Sequence, residues 1–222
     1  MHELRSPLPW LVAGLLLILA WDASGGDLWL ARQAAGTDGF PLRDNFWLTT
    51  VLHRGGRTAA GLLWLAMILA AWRPPPFMRG LGRGERWQLV IGVLCAVLAV
   101  DLVKYFSSTS CPWSLREFGG LASHVSHWRW GVTDGGSGRC FPAGHASAGF
   151  AFMAAWFVWR RHAPRAATLW LVIALLTGLT FGIAQQLRGA HFLSHTLWTA
   201  WICGATGWAV DALFRTARCR PL

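Results

Sequence analysis

Lysine is almost absent: Lys104 is the only one in 222 residues. Tyrosine also occurs once, and charged residues make up only 14% of the chain. A soluble domain carries roughly a quarter charged residues, so this shortage excludes an ordinary water-soluble domain. The chain has no internal repeat and no low-complexity segment, which excludes solenoids and disordered arrays. What is abundant points the same way. Hydrophobic residues reach 54%, and there are sixteen tryptophans, whose half-apolar, half-polar ring favours the membrane–water boundary.

Six apolar runs, near 7–22, 58–73, 87–106, 143–160, 166–186 and 193–213, predict an all-α, polytopic membrane bundle of about six transmembrane helices in a single domain, 1–222. A crossing needs roughly 20 residues, and the first two runs are shorter. The first also has the basic start and apolar middle of a secretory signal, but an even helix count favours a retained span. The net charge of +10 is carried by arginine. Arginines cluster between the runs, where they act as topology signals and contacts to anionic head groups rather than as a nucleic-acid surface. Eleven of the 20 basic residues, from Arg5 to Arg220, fall in short segments on one side. That side is read as cytoplasmic, with both termini. The expected location is a bacterial inner membrane with the opposite face toward the periplasm. Residues 44–54 read as an amphipathic helix lying on that outer surface.

Polar chemistry concentrates at three places, all on the predicted outer side. Lys104 ends the third run, one helical turn after Asp101. Pro142-Ala143-Gly144-His145 precedes the fourth run, where unpaired first-turn N–H groups suit an anion. Arg188-Gly-Ala-His191-Phe-Leu-Ser-His195 puts two histidines at i, i+4, so that one can orient the other. The same spacing suits metal ligands, but no acidic third ligand or thiolate pair lies near them in sequence. Cys111 and Cys140, both in the long outer loop, are candidates for a disulfide, which an oxidising compartment permits. Cys95, Cys203 and Cys219 read as free thiols.

The order lysine, Pro-x-Gly-His, Gly-x-His-x3-His resembles the signature of the type 2 phosphatidic acid phosphatase (PAP2) superfamily: Lys-x6-Arg-Pro, Pro-Ser-Gly-His, Ser-Arg-x5-His-x3-Asp. The resemblance spans residues 104–195. It implies that Lys104 binds phosphate and His145 assists the leaving oxygen. It also implies that His191 is a nucleophile forming a phosphohistidine and that His195 orients it. Ala143, Gly144, Arg188 and Arg139 join as expected substrate-binding groups. The chain departs from the signature at Cys111 and Gln185, which replace its two arginines, at Ala143 and Ala184, which replace serines, and at His195, which replaces the aspartate. Arg188, Arg139, Arg116 or Arg54 could restore the lost charge.

The expected function is hydrolysis or transfer of the phosphate or diphosphate of a lipid on the non-cytoplasmic face, without metal or cofactor. The expected partners are that phosphorylated lipid and membrane lipids, not nucleic acid. A non-catalytic protein binding anionic lipid and a metal-dependent membrane hydrolase are the alternatives. The particular lipid, the acceptor and the oligomeric state stay open.

Overall fold

The computed structural model describes residues 6–218; Arg5, Cys219 and Arg220, which entered the orientation and thiol readings, lie outside the described residues. All six apolar runs are helical, and no named strand occurs among the described residues. Helix α1 (Leu8–Ala23) has proline in its first turn, where a missing N–H breaks no intrahelical bond. A left-handed Gly25 (φ 69°) then redirects the chain into α2 (Gly26–Ala34) at 71° to α1.

The second run begins earlier than its composition suggests. A π-helical stretch, Trp47–Gly55, continues without a break into α3 (Gly56–Trp72), making one 26-residue helix. Residues 44–54 therefore do not form a separate surface helix; residues 47–54 are the opening turns of the second span. The wider π turn carries the chain through Gly55-Gly56, where a loop was expected, and such turns recur at functional sites.

Helix α4 (Arg83–Phe106) starts where the Glu85 carboxylate accepts the Gly82 N–H at 3.0 Å, satisfying a donor that the helix cannot. The fourth run is segmented. A 3₁₀ turn (Gly144–Ala146), α5 (Ser147–Phe150), a second 3₁₀ turn (Ala151–Met153) and α6 (Ala154–Trp159) follow one another. Most of it is buried and none of it is exposed. Helices α7 (Pro164–Leu187) and α8 (Leu193–Arg218) complete the bundle. The segmented arm lies so close to α7 that a Cβ on Gly149 would strike the Gly178 backbone, and one on Gly178 would strike the Phe150 ring. Small residues at crossings allow this approach.

Among the described residues three helices are long and apolar enough to cross a membrane, Trp47–Trp72, Arg83–Phe106 and Pro164–Leu187, and the bent α1–α2 pair makes a fourth if it is one span. The other two apolar runs are the segmented arm and α8, which pack with α4 and α7 around the core. Val93, Ala96, Val100, Phe150, Met153, Ala174 and Cys203 form its centre.

The two ends of the bundle differ in how they hold charge. At the end where α4 begins and α8 finishes, buried Asp211 meets Arg161 at 3.0 Å, Arg160 and Arg215 at 3.3 Å and Gln88 at 2.8 Å. Glu85 meets His162 there at 3.0 Å. At the other end, Asp134 organises the long 107–142 loop by accepting from the Ser110 N–H, the Ser110 hydroxyl and the Gly136 N–H at 2.6–2.9 Å. Asp27 of α2 caps α8 by accepting the Ser194 N–H at 3.0 Å and the Ser194 hydroxyl. That contact fixes the start of the helix carrying His195.

Candidate active site

A cavity of about 580 Å³ opens at the loop-bearing end, between α3, α4, the segmented arm and the α7–α8 link. Lys104, Gly144, His145, Arg188 and His191 all line it. So do four residues that sequence reasoning gave no binding role: His53, Arg57, Trp113 and Asp101. Cys111 and Gln185, which stand where the signature has arginines, line it as well. Further along α3 and α4 the wall becomes apolar, with Ala60, Gly61, Trp64, Val93, Leu94 and Val97.

Lys104 comes from the last turn of α4 and lies over Gly144, so close that a Cβ there would sit 3.4 Å from the lysine Cδ. Its ammonium makes no hydrogen bond or ion pair among the described residues.

His145 is held on three sides. Its Nε2–H donates to the Leu52 carbonyl at 3.2 Å, which fixes the hydrogen on that nitrogen because a carbonyl only accepts. Its ring packs against Phe181 at 4.8 Å, and the His53 ring meets it edge-on at 4.3 Å. Both Leu52 and His53 belong to the π-helical stretch.

The two histidines of the third motif touch through Nδ1 atoms 3.4 Å apart. His195 is fully buried, and its Nε2 has no hydrogen-bond partner among the described residues. Burial first, and then the nearby Lys104 charge, hold the His191 imidazole well below its ordinary pKa range; the Cys140 carbonyl acts weakly in the opposite direction. The ring is therefore neutral near pH 7, the form that has a lone pair to offer.

Arg188 is positioned twice over, by Nε–H donation to the Arg43 carbonyl at 2.8 Å and by Nη1–H donation to Gln185 at 3.0 Å. Its guanidinium lies 5.8 Å from the Trp113 ring centroid. The glutamine in the signature's arginine position thus holds an arginine three residues further on. The other candidate arginines are not brought in. Arg139 is exposed and lies over Tyr105 at 4.9 Å, Arg116 donates to the Leu121 carbonyl, and Arg54 is exposed outside the cavity. Ala143 does not line the cavity either; its N–H is spent on the His195 carbonyl at 3.1 Å.

Cys111 and Cys140 are joined in a disulfide, with Cα atoms 5.1 Å apart. The bond ties the first motif to the second, and the Cys140 sulfur lies 3.6 Å from His191 Nδ1. Cys140, His191 and His195 place potential ligand atoms within 4.8 Å of one another. The sulfur is committed to the disulfide, however, and a cysteine binds metal as its thiolate. Two imidazoles alone fall short of the three protein ligands of a catalytic zinc site.

Fold and cavity together define a class: an all-helical protein with helices of membrane-spanning length and a cavity where ammonium, guanidinium and imidazole groups converge. The chain belongs to the PAP2 superfamily, whose family model matches residues 85–219. No curated protein and no solved structure matches it. Members of the superfamily are phosphatases, so the chain stands with the phosphoric ester hydrolases.

Proposed function

We propose that this protein is a membrane lipid phosphatase that works through a phosphohistidine on His191, with its site on the non-cytoplasmic face. One observation carries the reading. Lys104, His145, Arg188 and His191 share a single cavity, one wall of which, along α3 and α4, is apolar. A lipid can leave its tail along Trp64, Leu94 and Val97 and bring its phosphate to the cationic end.

The chemistry follows from the protonation states. For His191 Nε2 to attack phosphorus, its hydrogen must sit on Nδ1 and be donated to His195 Nδ1. His195 then carries its own hydrogen on Nε2. A phosphoryl transition state spreads negative charge over its equatorial oxygens. Lys104 and Arg188 neutralise that charge, Arg188 from a position fixed by Arg43 and Gln185, and such electrostatic stabilisation is where most of the rate gain arises. His145 is neutral, with its one hydrogen on Nε2 toward Leu52, until the charge of the bound phosphate favours protonation of Nδ1. As the N–P bond forms and the P–O bond breaks, that Nδ1 proton goes to the leaving oxygen. Water then attacks the phosphohistidine, returns a proton to His145 and releases phosphate. An alcohol in place of water would give phosphotransfer by the same intermediate.

The test is phosphate release by the purified protein in detergent from a panel of phosphorylated lipids, with His191→Asn as control. Release that vanishes in the variant supports the reading. Undiminished release overturns the nucleophile, and no release from any lipid overturns the enzyme in favour of a lipid-binding protein.

A further inference from the structure

The third motif departs from its signature at one position that the cavity does not compensate. His195 stands where the signature has an aspartate, so His191 Nδ1 meets a neutral ring at 3.4 Å instead of a carboxylate. A charge-assisted bond there would be roughly twice as strong as a neutral one. Lys104 and Arg188 line the cavity with positive charge and cannot supply the missing negative charge.

A carboxylate is nevertheless present behind His195. Phe141, Phe192 and His127 pack edge-on around its ring, with centroids at 5.2, 5.4 and 5.9 Å. Of these three, only His127 can hold or move a proton. Its Nε2–H donates to Asp22 Oδ2 at 3.3 Å, since a carboxylate only accepts. Its ring lies flat on Phe141 at 4.1 Å. Asp22 belongs to the last turn of α1. The indole N–H groups of Trp128 and Trp198 also donate to Oδ2, at 3.1 and 2.9 Å. Trp198 follows His195 by about one turn of α8, so the helix that carries His195 also holds Asp22.

Two features set this carboxylate apart from a structural one. Asp211, at the opposite end, is met by three arginines. The Asp22 side chain is only 6% exposed, yet no arginine or lysine pairs with it among the described residues, and its Oδ1 has no partner there. A buried carboxylate without a fixed cation is costly, and the groups it can serve are the imidazoles beside it. The hydrogens are also complementary. With His191 donating to His195 Nδ1, the hydrogen of His195 sits on Nε2, which is buried and unpartnered among the described residues. With His127 donating to Asp22, a neutral His127 has a free lone pair on Nδ1. In a buried, low-dielectric site, charge on one ring acts strongly on the next.

We propose that Asp22, acting through His127, is the positioning carboxylate for the His195–His191 pair. It lies outside residues 85–219, where the family model matches, and stands in for the signature's aspartate from another helix. The proposal rests on the phosphatase reading above. As His191 Nε2 bonds to phosphorus, the P–O bond breaks and its electron pair leaves with the oxygen. The His191 ring gains positive charge, and its Nδ1–H leans harder on His195. His195 becomes more positive in turn, and the Asp22–His127 pair stabilises it. No proton leaves its nitrogen along this chain of groups, and hydrolysis of the phosphohistidine by water restores the starting state. Helix α1 is then part of the working site.

The experiment measures phosphate release in detergent from phosphatidate, a polyprenyl monophosphate and p-nitrophenyl phosphate. It takes kcat and KM on the ester that wild type cleaves fastest. The variants are Asp22→Asn, Asp22→Glu, His195→Asp, and His195→Asp combined with Asp22→Asn. Asp22→Asn is expected to lower kcat about 30-fold with KM little changed, the scale of a lost charge-assisted contact. Asp22→Glu should recover part of that loss. His195→Asp puts a carboxylate directly beside His191, so adding Asp22→Asn in that background should cost less than about threefold, the mark of coupled positions. An unchanged kcat in Asp22→Asn overturns the proposal. So does an equal loss in both backgrounds, which marks a purely structural role. Should His195→Asp fail to fold, a kcat loss that Asp22→Glu recovers in part supports the proposal, and one that it does not recover overturns it. Each of these overturning results leaves His191-dependent release, and so the phosphatase reading, intact. Absence of release from every ester by the wild type overturns the two together.

Discussion

The two ends of the bundle use the same kinds of residue to opposite effect. Where α4 begins, Arg160, Arg161 and Arg215 converge on buried Asp211, and His162 meets Glu85. About 24 Å along the same helix, at 1.5 Å per residue from Gln88 to Lys104, Lys104 and Arg57 line an open cavity without partners among the described residues. Cations tied to carboxylates hold helices together. Cations left facing a cavity, where desolvation is only partly offset, wait for an anion that the chain does not supply. Composition alone cannot tell the two apart, because arginine dominates both ends.

The largest break in this comparison is expected from the nucleophile. His191→Asn should cost at least about 10³-fold in phosphate release, the scale of losing a covalent catalytic group, while circular dichroism stays unchanged. Asp211→Ala should do the reverse. Removing one partner of a buried ion pair costs about 3–5 kcal/mol, so thermal unfolding in detergent should shift strongly while activity per folded molecule stays within a few-fold. Equal effects of both substitutions on both readouts would erase the distinction between the ends.

A smaller effect is expected from pH. His191 must be neutral to attack, and burial beside Lys104 lowers its pKa. The neutral form then persists on acidification, so the acid limb of kcat/KM should lie below the ordinary histidine range of about 6.5. Lys104→Met should move that limb upward by removing the charge that disfavours the imidazolium. An acid limb unmoved by the substitution would detach the lysine from the nucleophile. The smallest effect concerns metal. Chelation with EDTA should leave activity unchanged, because the sulfur nearest His191 is held in the Cys111–Cys140 disulfide.

Much of the fold was legible because a membrane helix is specified by local composition. All six apolar runs are helical. The trio of Lys104, His145 and His191 was legible for another reason: short motifs at helix ends recur in a fixed order, and the cavity collects all three. Failures came where long-range contact decides. His53 lies at the end of a stretch read as a surface helix, and Arg57 just beyond two adjacent glycines; a π-helical turn instead carries both into the span that α3 completes. Arg139 looked apt beside the second motif, but its left-handed backbone (φ 55°) accompanies a side chain lying over Tyr105 instead of in the cavity. Asp27 caps α8 from 167 residues away, a pairing with no local signal. The one available hint at His53 was its place in a predicted amphipathic helix on the same side as the motifs.

The most direct test is to mix the protein with a lipid carrying a radiolabelled terminal phosphate, quench within the first turnovers and map the label. The account predicts label on His191 that survives alkali, is lost in acid and is absent from His191→Asn. Steady phosphate release with no label on His191, and with His191→Asn equally active, would contradict it.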